Sequence, residues 1–279
     1  MTGRLHDRRR LPANGRVALE SLRGRVEAER FVAGEPATVR RPVVDLCAAP
    51  GGPRDRQLLY GEGVRVLEEA DGHAFVVADK DGYCGHVDRV ALGAPAAATH
   101  WVSAAATHLY AAADIKSPDR MMLSLGARLA IRGEAGDMLE TREGLFVPRR
   151  HVSPIGEWAT DPVAVAERLL GTPYLWGGNS RSGIDCSGLV QAALVACGRD
   201  CPGDSDMQQA ETGTALPPGA ALRRGDLVFW KGHVALAAGP GRIIHANAHD
   251  MAVAFEDLGA AVARIAAQGG GPVLACRRP

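Results

Sequence analysis

The spacing of apolar positions changes twice along the chain. Residues 16–32, RVALESLRGRVEAERFV, carry apolar side chains at helical intervals and predict an amphipathic helix, which GEPATVRRP ends. From about residue 43 the interval becomes that of strands. Asp-Gly pairs at 71–72 and 81–82 separate these short runs, and such pairs are typical of tight hairpin turns. The pattern predicts a helix followed by a β-rich region.

The β-rich region contains one layout twice. The segments LCAAP, LLYGEGVRVLEEADG and DGYCGHVDRVAL, within residues 46–92, align with LYAAAD, MMLSLGARLAIRGEAG and EGLFVPRRHV, within residues 109–152. Gly61 in the first copy matches Gly126 in the second. Two strand-rich copies of about 50 residues predict two small β-barrels.

The last part of the chain begins with helical spacing and ends with strand spacing. One helix is expected between its cap at Thr160 or Asp161 and Gly171, and another follows Cys186. The remaining predicted elements are the strands Leu227–Trp230, His233–Ala238, Arg242–Ala246 and Ala252–Phe255, the helix Leu258–Gln268 and a short strand near Val273. Helices followed by a mostly antiparallel sheet define an α+β fold.

Length and composition fit several folded parts. A chain of 279 residues, 46% of them hydrophobic, can build two or three cores. We predict an N-terminal helical or flexible segment over 1–40, a first barrel over 41–95, a second barrel over 96–157 and the α+β domain over 158–279.

Charge and the first residues narrow the partners and the compartment. The 32 basic and 32 acidic residues balance, which argues against nucleic acid as a partner because a basic face is its usual footprint. The start, MTGRLHDRRRLPANGR, lacks the apolar core of an export signal, and no run approaches the roughly 20 apolar residues of a membrane span. We therefore expect a cytoplasmic protein of unknown oligomeric state.

Six cysteines raise the questions of disulfides and metal. Without an export signal, reduced thiols are expected. Cys197 and Cys201 are four residues apart, but no second pair of cysteines or histidines follows at ligand spacing. We predict no metal and no other cofactor.

Cys186 stands in GIDCSGLVQAALVACG, where a buried small residue is the ordinary interpretation of a cysteine. Here apolar residues recur at helical spacing after it, and Asp185 and Ser187 are residue types that favour a helix start. The first turn of a helix stabilises an anion, and a thiolate is the nucleophilic form of cysteine. Cys186 is therefore a candidate nucleophile that needs a base.

Two histidines are candidate partners. His233 begins the strand HVALAA and His245 lies in the next strand, RIIHAN. A turn of three or five residues would put both on one face of the hairpin, whereas a turn of four would separate them. In the resulting hypothesis Cys186 attacks a carbonyl carbon, and His233 pairs with the thiolate and then protonates the leaving amine. His245 orients His233, with His249 as the fallback third member.

These segments resemble the NlpC-type papain-like cysteine peptidases, which act on cell-wall peptides. The resemblance is carried by YLWGGNSRSGIDCSGLV, GDLVFWKGHVALAAG and RIIHAN, and by the order Cys, His, His. The two β repeats resemble bacterial SH3 domains. The resemblance implies a papain-like catalytic domain preceded by two SH3-like barrels. It also implies cleavage of the γ-D-glutamyl–diamino acid bond in murein peptides with a free N-terminal L-alanine, as in the dipeptidyl-peptidase VI-like group.

The resemblance also implies substrate contacts. In that group the first SH3 domain closes one end of the cleft, so Tyr83, Asp185 and Glu62 are expected near the substrate's amine. Other matching positions on the substrate side are Ser187, Trp176 and Ser205. Three of them have a structural alternative: Tyr83 as a core aromatic, Trp176 as packing and Asp185 as a helix cap. Removal of L-Ala-D-Glu from imported murein peptides, in recycling, would fit a chain without an export signal.

Two departures and two alternatives remain. The family often has an arginine in PRxSxxQ, where this chain has Gly203 in CPGDSDMQ, and HVALAA replaces the commoner HVGIY. An acyltransferase or lipid hydrolase of the same fold would use the same cysteine and histidine pair. A non-catalytic module that binds wall peptides is the alternative from another class, and the complete set of Cys186, His233 and His245 argues against it.

Overall fold

The fold is described from a computed structural model over residues 7–279, and it separates into two compact units. The first unit comprises the chain up to Val102 and Ala106–Pro154. The second comprises Ser103–Ala105 and Ile155–Pro279. Within the described residues no helix has the length and apolar character that crossing a membrane requires.

Over its described residues, from 7 onward, the first unit consists of short strands joined by turns and four single-turn 3₁₀ helices. Its strands are β1 Val17–Leu19, β2 Arg30–Val32, β3 Glu35–Val39, β4 Val43–Cys47, β5 Arg54–Leu59, β6 Gly63–Ala70, β7 His73–Ala78, β8 Cys84–Asp88, β9 Leu92–Gly93, β10 His100–Val102, β11 Ala106–Tyr110, β12 Asp119–Ser124, β13 Arg128–Leu129, β14 Ile131–Ala135, β15 Met138–Thr141, β16 Phe146–Pro148 and β17 Val152–Pro154. The 3₁₀ helices are Arg8–Arg10, Glu20–Leu22, Arg89–Ala91 and Arg149–His151.

The first repeat forms a sheet of seven strands in the order β5-β4-β8-β7-β6-β3-β9. The Asp71-Gly72 turn joins β6 to β7 as predicted, and both residues have positive φ (49° and 77°), which a two-residue hairpin turn of this kind requires. The sheet also takes in β3, which lies before the predicted start of the barrel at residue 41.

The second repeat forms a five-stranded sheet, β12-β11-β16-β15-β14, and a three-stranded sheet, β13-β10-β17. Leu109, Leu123 and Leu129 are among the residues that fill its core, and Leu59 and Tyr60 from the first repeat join the same apolar cluster. The two repeats therefore share buried surface within the first unit.

The predicted helix over residues 16–32 is wrong. The segment instead forms β1 and β2, which pair in parallel, with a 3₁₀ turn at Glu20–Leu22. Gly24, at φ 74°, lies in the middle of the segment and interrupts a helix. Val17 packs in an apolar cluster with Leu67, Phe75 and Cys84, so contacts distant in sequence outweigh the helical spacing.

The second unit has the predicted α+β pattern. Its elements are α1 Pro162–Glu167, β18 Asn179–Ser180, β19 Gly183–Ile184, α2 Cys186–Ala196, α3 Ser205–Glu211, β20 Thr214–Ala215, β21 Leu227–Trp230, β22 His233–Gly239, β23 Arg242–Asn247, β24 Ala252–Asp257, α4 Leu258–Ala267 and β25 Ala275–Arg278. The main sheet has the order β20-β25-β21-β22-β23-β24, with antiparallel pairing throughout.

The helix starts of this unit follow the predicted capping. Asp161 accepts hydrogen bonds from the N–H groups of Val163 and Ala164, with Pro162 in the first turn. Helix α2 packs against β22 and β23. This packing brings the cysteine helix onto the two strands that carry His233 and His245.

Candidate active site

Cys186 is the first residue of α2 and is 5% exposed. Its helix starts there because Asp185 is extended (φ −97°, ψ 179°) and caps the first turn, accepting a hydrogen bond from the N–H of Gly188 at 2.6 Å. A Cβ on Gly188 would lie 2.4 Å from the carbonyl oxygen of Gly178, so the preceding loop approaches the helix where only glycine fits. The sulfur consequently lies where the helix dipole favours negative charge.

His233 and His245 project from the same face of the β22–β23 hairpin. Leu236 pairs with Ile244 and Ala237 with Ile243, and five residues separate the last of these regular pairs. The register then shifts, so Ala238 is the extra residue of a β-bulge. If the ladder ran on from the Gly239–Arg242 pair with Ala238 included and no bulge, side chains on β23 would have the opposite parity relative to β22.

The two imidazole rings are in direct contact. His233 Nε2 lies 2.9 Å from His245 Nδ1, and the ring centroids are 5.1 Å apart. The indole of Trp230, which pairs with His233 across the turn, lies against the imidazole of that same residue with centroids 5.7 Å apart. Because Nε2 of His233 is engaged by His245, Nδ1 is the nitrogen available to exchange a proton with a thiol.

Burial dominates the electrostatics of both rings. It lowers the pKa of His233 to about 3, and the neighbouring His245 adds to this effect. His245 is fully buried, and burial lowers its pKa as well. An imidazolium at His233 therefore needs a nearby negative charge, which a thiolate would supply.

Sequence reasoning missed Glu256 and Arg264 beside His245. Glu256 Oε2 lies 3.1 Å from His245 Nε2, and the guanidinium of Arg264 donates to both carboxylate oxygens, at 2.9 and 2.7 Å. In the sequence, a charged residue in a predicted strand indicates a side chain that faces solvent. The available signal was its parity: Glu256 lies two residues from Ala254, which pairs with His245.

Tyr174 is a third residue that the sequence analysis left out. Burial raises the pKa of its hydroxyl, and the charges of Cys186 and Asp185 add to the rise. Its backbone N–H donates to the carbonyl of Met251, which ties the loop before α2 to the turn before β24. Tyr174 therefore stays protonated at neutral pH, as an O–H group in the field of the nucleophile.

The predicted substrate-side residues of the second unit lie around the start of α2 or α3. Asp185 is buried, and besides the cap it accepts hydrogen bonds from the N–H of Gly177 and from the hydroxyl of Ser187. Trp176 is 69% exposed, so it is not a packed core residue. Ser205 begins α3 and is half-buried. Their contacts with a substrate remain predictions.

Glu62 and Tyr83 belong to the first unit, and both are buried. The carboxylate of Glu62 accepts a hydrogen bond from the N–H of Leu59 at 3.0 Å and pairs with the ammonium of Lys80 at 2.8 Å. Glu62 thus has a structural role in its turn, and the amine contacts of Glu62 and Tyr83 stay predictions.

The segment that departs from the family pattern has its own internal support. Gln208 in α3 is fully buried, and its amide donates to the carbonyl oxygens of Ser187 and Pro202, both at 2.9 Å. These bonds fasten the segment around Gly203 to the first turn of α2. His249 is exposed in the turn after β23, away from the contact between His233 and His245.

The cysteines and acidic side chains show neither a disulfide nor a metal cluster. No disulfide joins any two of the six cysteines, all of which belong to the described part. Among residues 7–279, no three His, Cys, Asp or Glu side chains converge as metal ligands would.

Comparisons with known proteins match both units. A model of the NlpC/P60 family matches residues 171–263, and a model of the bacterial dipeptidyl-peptidase SH3 domain matches residues 46–92. A γ-D-glutamyl-L-lysine dipeptidyl-peptidase from Bacillus subtilis (strain 168) is 29% identical over 211 residues, which is 68% of this chain and 71% of that protein. Protein P54 from Enterococcus faecium is 42% identical over 90 residues, 30% of this chain and 17% of its own length.

A solved structure shares the fold. The crystal structure of an NlpC/P60 family protein from Bacillus cereus ATCC 10987 aligns with a TM-score of 0.74 and 20% identity, over 88% of this chain and 99% of that one. The match to the NlpC/P60 family identifies a cysteine peptidase. The chain contains a catalytic domain of the NlpC/P60 family and an SH3 domain of the bacterial dipeptidyl-peptidase type.

Proposed function

We propose that the protein hydrolyses the γ-D-glutamyl–diamino acid bond of murein peptides that carry a free N-terminal L-alanine, releasing L-Ala-D-Glu. The observation that carries this proposal is the 2.9 Å contact between His233 Nε2 and His245 Nδ1 on strands that pack against the helix beginning at Cys186. A nucleophile, a base and a group that orients the base are the parts that amide hydrolysis by a thiol needs.

The reaction runs in two halves. Cys186 Sγ attacks the carbonyl carbon of the γ-glutamyl amide as His233 Nδ1 takes the thiol proton, and the first turn of α2 faces the developing oxyanion. His233 then gives that proton to the amine of the diamino acid, the C–N bond breaks, and a thioester remains. Water attacks the thioester with His233 again as base, releasing the dipeptide and restoring the thiol.

The low pKa of His233 shapes the first half. A buried neutral imidazole accepts the proton only while the thiolate is beside it, so charge separation and nucleophilic attack are coupled. His245 stabilises the imidazolium by accepting from Nε2–H, the arrangement in which its own Nδ1 is unprotonated.

Specificity for a free amine is the finer part of the proposal. Asp185 is a buried carboxylate within two residues of the nucleophile, and an ammonium is its natural counter-charge. The match to a dipeptidyl-peptidase named for a γ-D-glutamyl-L-lysine bond supports the same substrate class. L-alanine in an intact wall is acylated, so a requirement for its free amine would direct the enzyme to released peptides, as in recycling.

Thiol labelling tests the catalytic group without any substrate. Burial raises the pKa of four of the other five thiols, which keeps background labelling low at neutral pH; they are Cys47, Cys84 (to about 12), Cys197 and Cys276. We expect iodoacetamide to modify Cys186 at pH 7, and His233→Ala to slow this at least about tenfold. A slow thiol that does not respond to His233→Ala would leave only a binding module.

Substrate cleavage tests the specificity. L-Ala-γ-D-Glu-diaminopimelate, L-Ala-γ-D-Glu-L-Lys and an N-acetylated copy of each are incubated with the enzyme, and released dipeptide is measured by mass spectrometry. Release only from the free-amine peptides supports the proposal. Equal cleavage of the acetylated copies retains the peptidase and rejects the amine requirement. Cleavage of acyl esters but of no peptide would indicate the acyltransferase or lipid hydrolase alternative.

A further inference from the structure

A carboxylate stands behind the histidine pair. Glu256 lies opposite Ile243 in the β23–β24 register, on the same face as His245 and diagonal to it. Its Oε2 is 3.1 Å from His245 Nε2, which is the nitrogen turned away from His233. His233, His245 and Glu256 thus follow one another across three neighbouring strands, β22, β23 and β24, and the Cys186 helix packs against the first two of these strands.

The protonation states of Cys186, His233, His245 and Glu256 depend on one another. If His233 Nδ1 accepts the thiol proton, its Nε2 carries a hydrogen that must be donated to His245 Nδ1. An accepting Nδ1 on His245 places the hydrogen of that ring on Nε2. This Nε2 is fully buried, and a buried N–H without an acceptor is costly. The tautomer that catalysis requires is therefore the one that needs an acceptor on the Glu256 side.

Arg264 limits how well Glu256 fills that need. Its guanidinium holds both oxygens of Glu256, and Oε2 is shared: 2.7 Å from Arg264 Nη2 and 3.1 Å from His245 Nε2. The histidine N–H is not aligned on Oε2, so among the described residues Nε2 has an ion-pair contact but no hydrogen bond. The contact should tighten as positive charge develops on the two rings.

We propose that Glu256 is a positioning residue for catalysis, which holds His245 in its Nε2–H tautomer and balances imidazolium charge, and that Arg264 restrains it. This inference rests on the proposed function, in which His233 is the base. It assigns opposite effects to the two charges, since the carboxylate favours protonated histidine and the guanidinium disfavours it.

The surrounding charges agree in sign with this assignment. Burial is the largest influence on the pKa of both rings and lowers it. Against it, Glu256 raises the pKa of His233 and of His245, and Arg264 lowers both. The other charged group near His245 is Asp250, in the turn between β23 and β24, which raises its pKa. Glu256 is the carboxylate that acts on both members of the pair.

Alkylation of Cys186 at pH 7 tests the inference with no substrate involved. Glu256→Gln keeps the shape of the side chain and removes its charge, so the thiolate–imidazolium pair should become less populated and the rate should fall about tenfold. Arg264→Gln frees Glu256 and should raise the rate severalfold. Glu167→Gln is the matched control, since Glu167 also pairs with an arginine, Arg224 at 3.1 Å, and lies on α1.

The outcomes separate this inference from the proposed function. If alkylation is fast and depends on His233, but Glu256→Gln reacts like the parent protein, the inference fails and the peptidase proposal stands. If both substitutions change the rate in the same direction, their effect is structural and the inference also fails. Slow alkylation that His233→Ala does not alter instead counts against the proposed function itself.

Nitrogen-15 NMR of the histidine rings provides a second readout. His245 should appear in its Nε2–H form in the parent protein and in Glu256→Gln, because a glutamine oxygen can still accept. In Glu256→Leu it should shift toward the Nδ1–H form. A His245 tautomer that is the same in all three proteins contradicts the positioning role, even where a variant is too unstable for kinetics.

Discussion

Asp185 combines two tasks in one carboxylate. It caps α2 through Gly188, and it is the buried negative charge nearest in sequence to the nucleophile. A cap needs only an acceptor oxygen, whereas an ammonium site needs the charge. The structural and the functional interpretations of this residue therefore predict different results for two substitutions.

Asp185→Asn should separate these tasks. Asparagine retains an acceptor for the N–H of Gly188 but turns an NH2 group toward the N–H of Gly177, so we expect the free energy of unfolding to fall by about 1–2 kcal/mol. KM for a free-amine peptide should rise at least about tenfold, because the counter-charge is lost. Asp185→Ala should also lose the cap, at about 1–2 kcal/mol. Urea unfolding and steady-state kinetics give the two quantities, and an unchanged KM in Asp185→Asn would leave Asp185 as a cap alone.

Among the secondary-structure elements, the β22–β23 hairpin decides whether there is a site at all. Its bulge at Ala238 sets the parity that brings His245 to the face of His233. The residues after it, Gly239, Pro240 and Gly241, indicate a turn but do not show how many residues separate the last regular pair of the two strands. The sequence therefore predicts that the two histidines share a face only if the turn has three or five residues, and five are present.

Deleting Ala238 should retain the activity. Without the extra residue the pairs Gly239–Arg242 and Ala237–Ile243 become consecutive pairs of a regular ladder, so His233 and His245 stay on one face and keep their 2.9 Å contact. Ala238→Ser keeps the residue count and is the control, with activity expected within about twofold of the parent because the backbone is unchanged. Dipeptide release and circular dichroism measure activity and folding. A deletion variant that folds but has lost its activity would contradict this account of the bulge.

The elements of the second unit were largely predictable, and those near residue 20 were not. The strands β21 to β24 and helices α2 and α4 show their periods and caps locally, so their bounds follow from the sequence within one or two residues. Residues 16–32 have an equally good helical period, but parallel pairing of β1 with β2 and burial of Val17 depend on distant contacts. The position of Glu256 and Arg264 beside His245 was not predicted for the same reason, because the cluster joins side chains from three elements.

At the scale of the whole molecule, ion pairs as well as apolar contacts hold residues 14–32 to the seven-stranded sheet of the first repeat. Glu68 in β6 is buried and accepts hydrogen bonds from Asn14, Arg16 and Arg30. The Arg16 guanidinium is the strongest of the influences that lower the pKa of Glu68, to about 2. One carboxylate thus connects the start of the described chain, β2 and the sheet.

Glu68→Gln should destabilise the protein by about 1–3 kcal/mol at pH 7, since it weakens a buried, charged hub. The pKa of Glu68 is about 2 in the folded chain and ordinarily 4.5, so its ionisation contributes stability above pH 4.5 that is lost as the pH falls toward 2. The difference between parent and variant should therefore shrink over that range. Urea unfolding at pH 7 and pH 3 measures it.

Glu69→Gln is the control for this prediction. Glu69 pairs with Arg89 on the surface, at 51% side-chain exposure, and its loss should cost less than about 0.5 kcal/mol at either pH. A Glu68→Gln effect no larger than that of Glu69→Gln, or one that grows in acid, would refute the proposed hub.

The early strand β1 has a practical consequence for anyone who trims this protein. Val17 packs in one apolar cluster with Leu67 and Phe75. A shortened version that starts at residue 46, where similarity to the SH3 family begins, would therefore expose apolar surface. Such a fragment should aggregate at concentrations at which the intact chain stays dispersed. Its signal in a binding assay would then reflect nonspecific adsorption and not specific recognition.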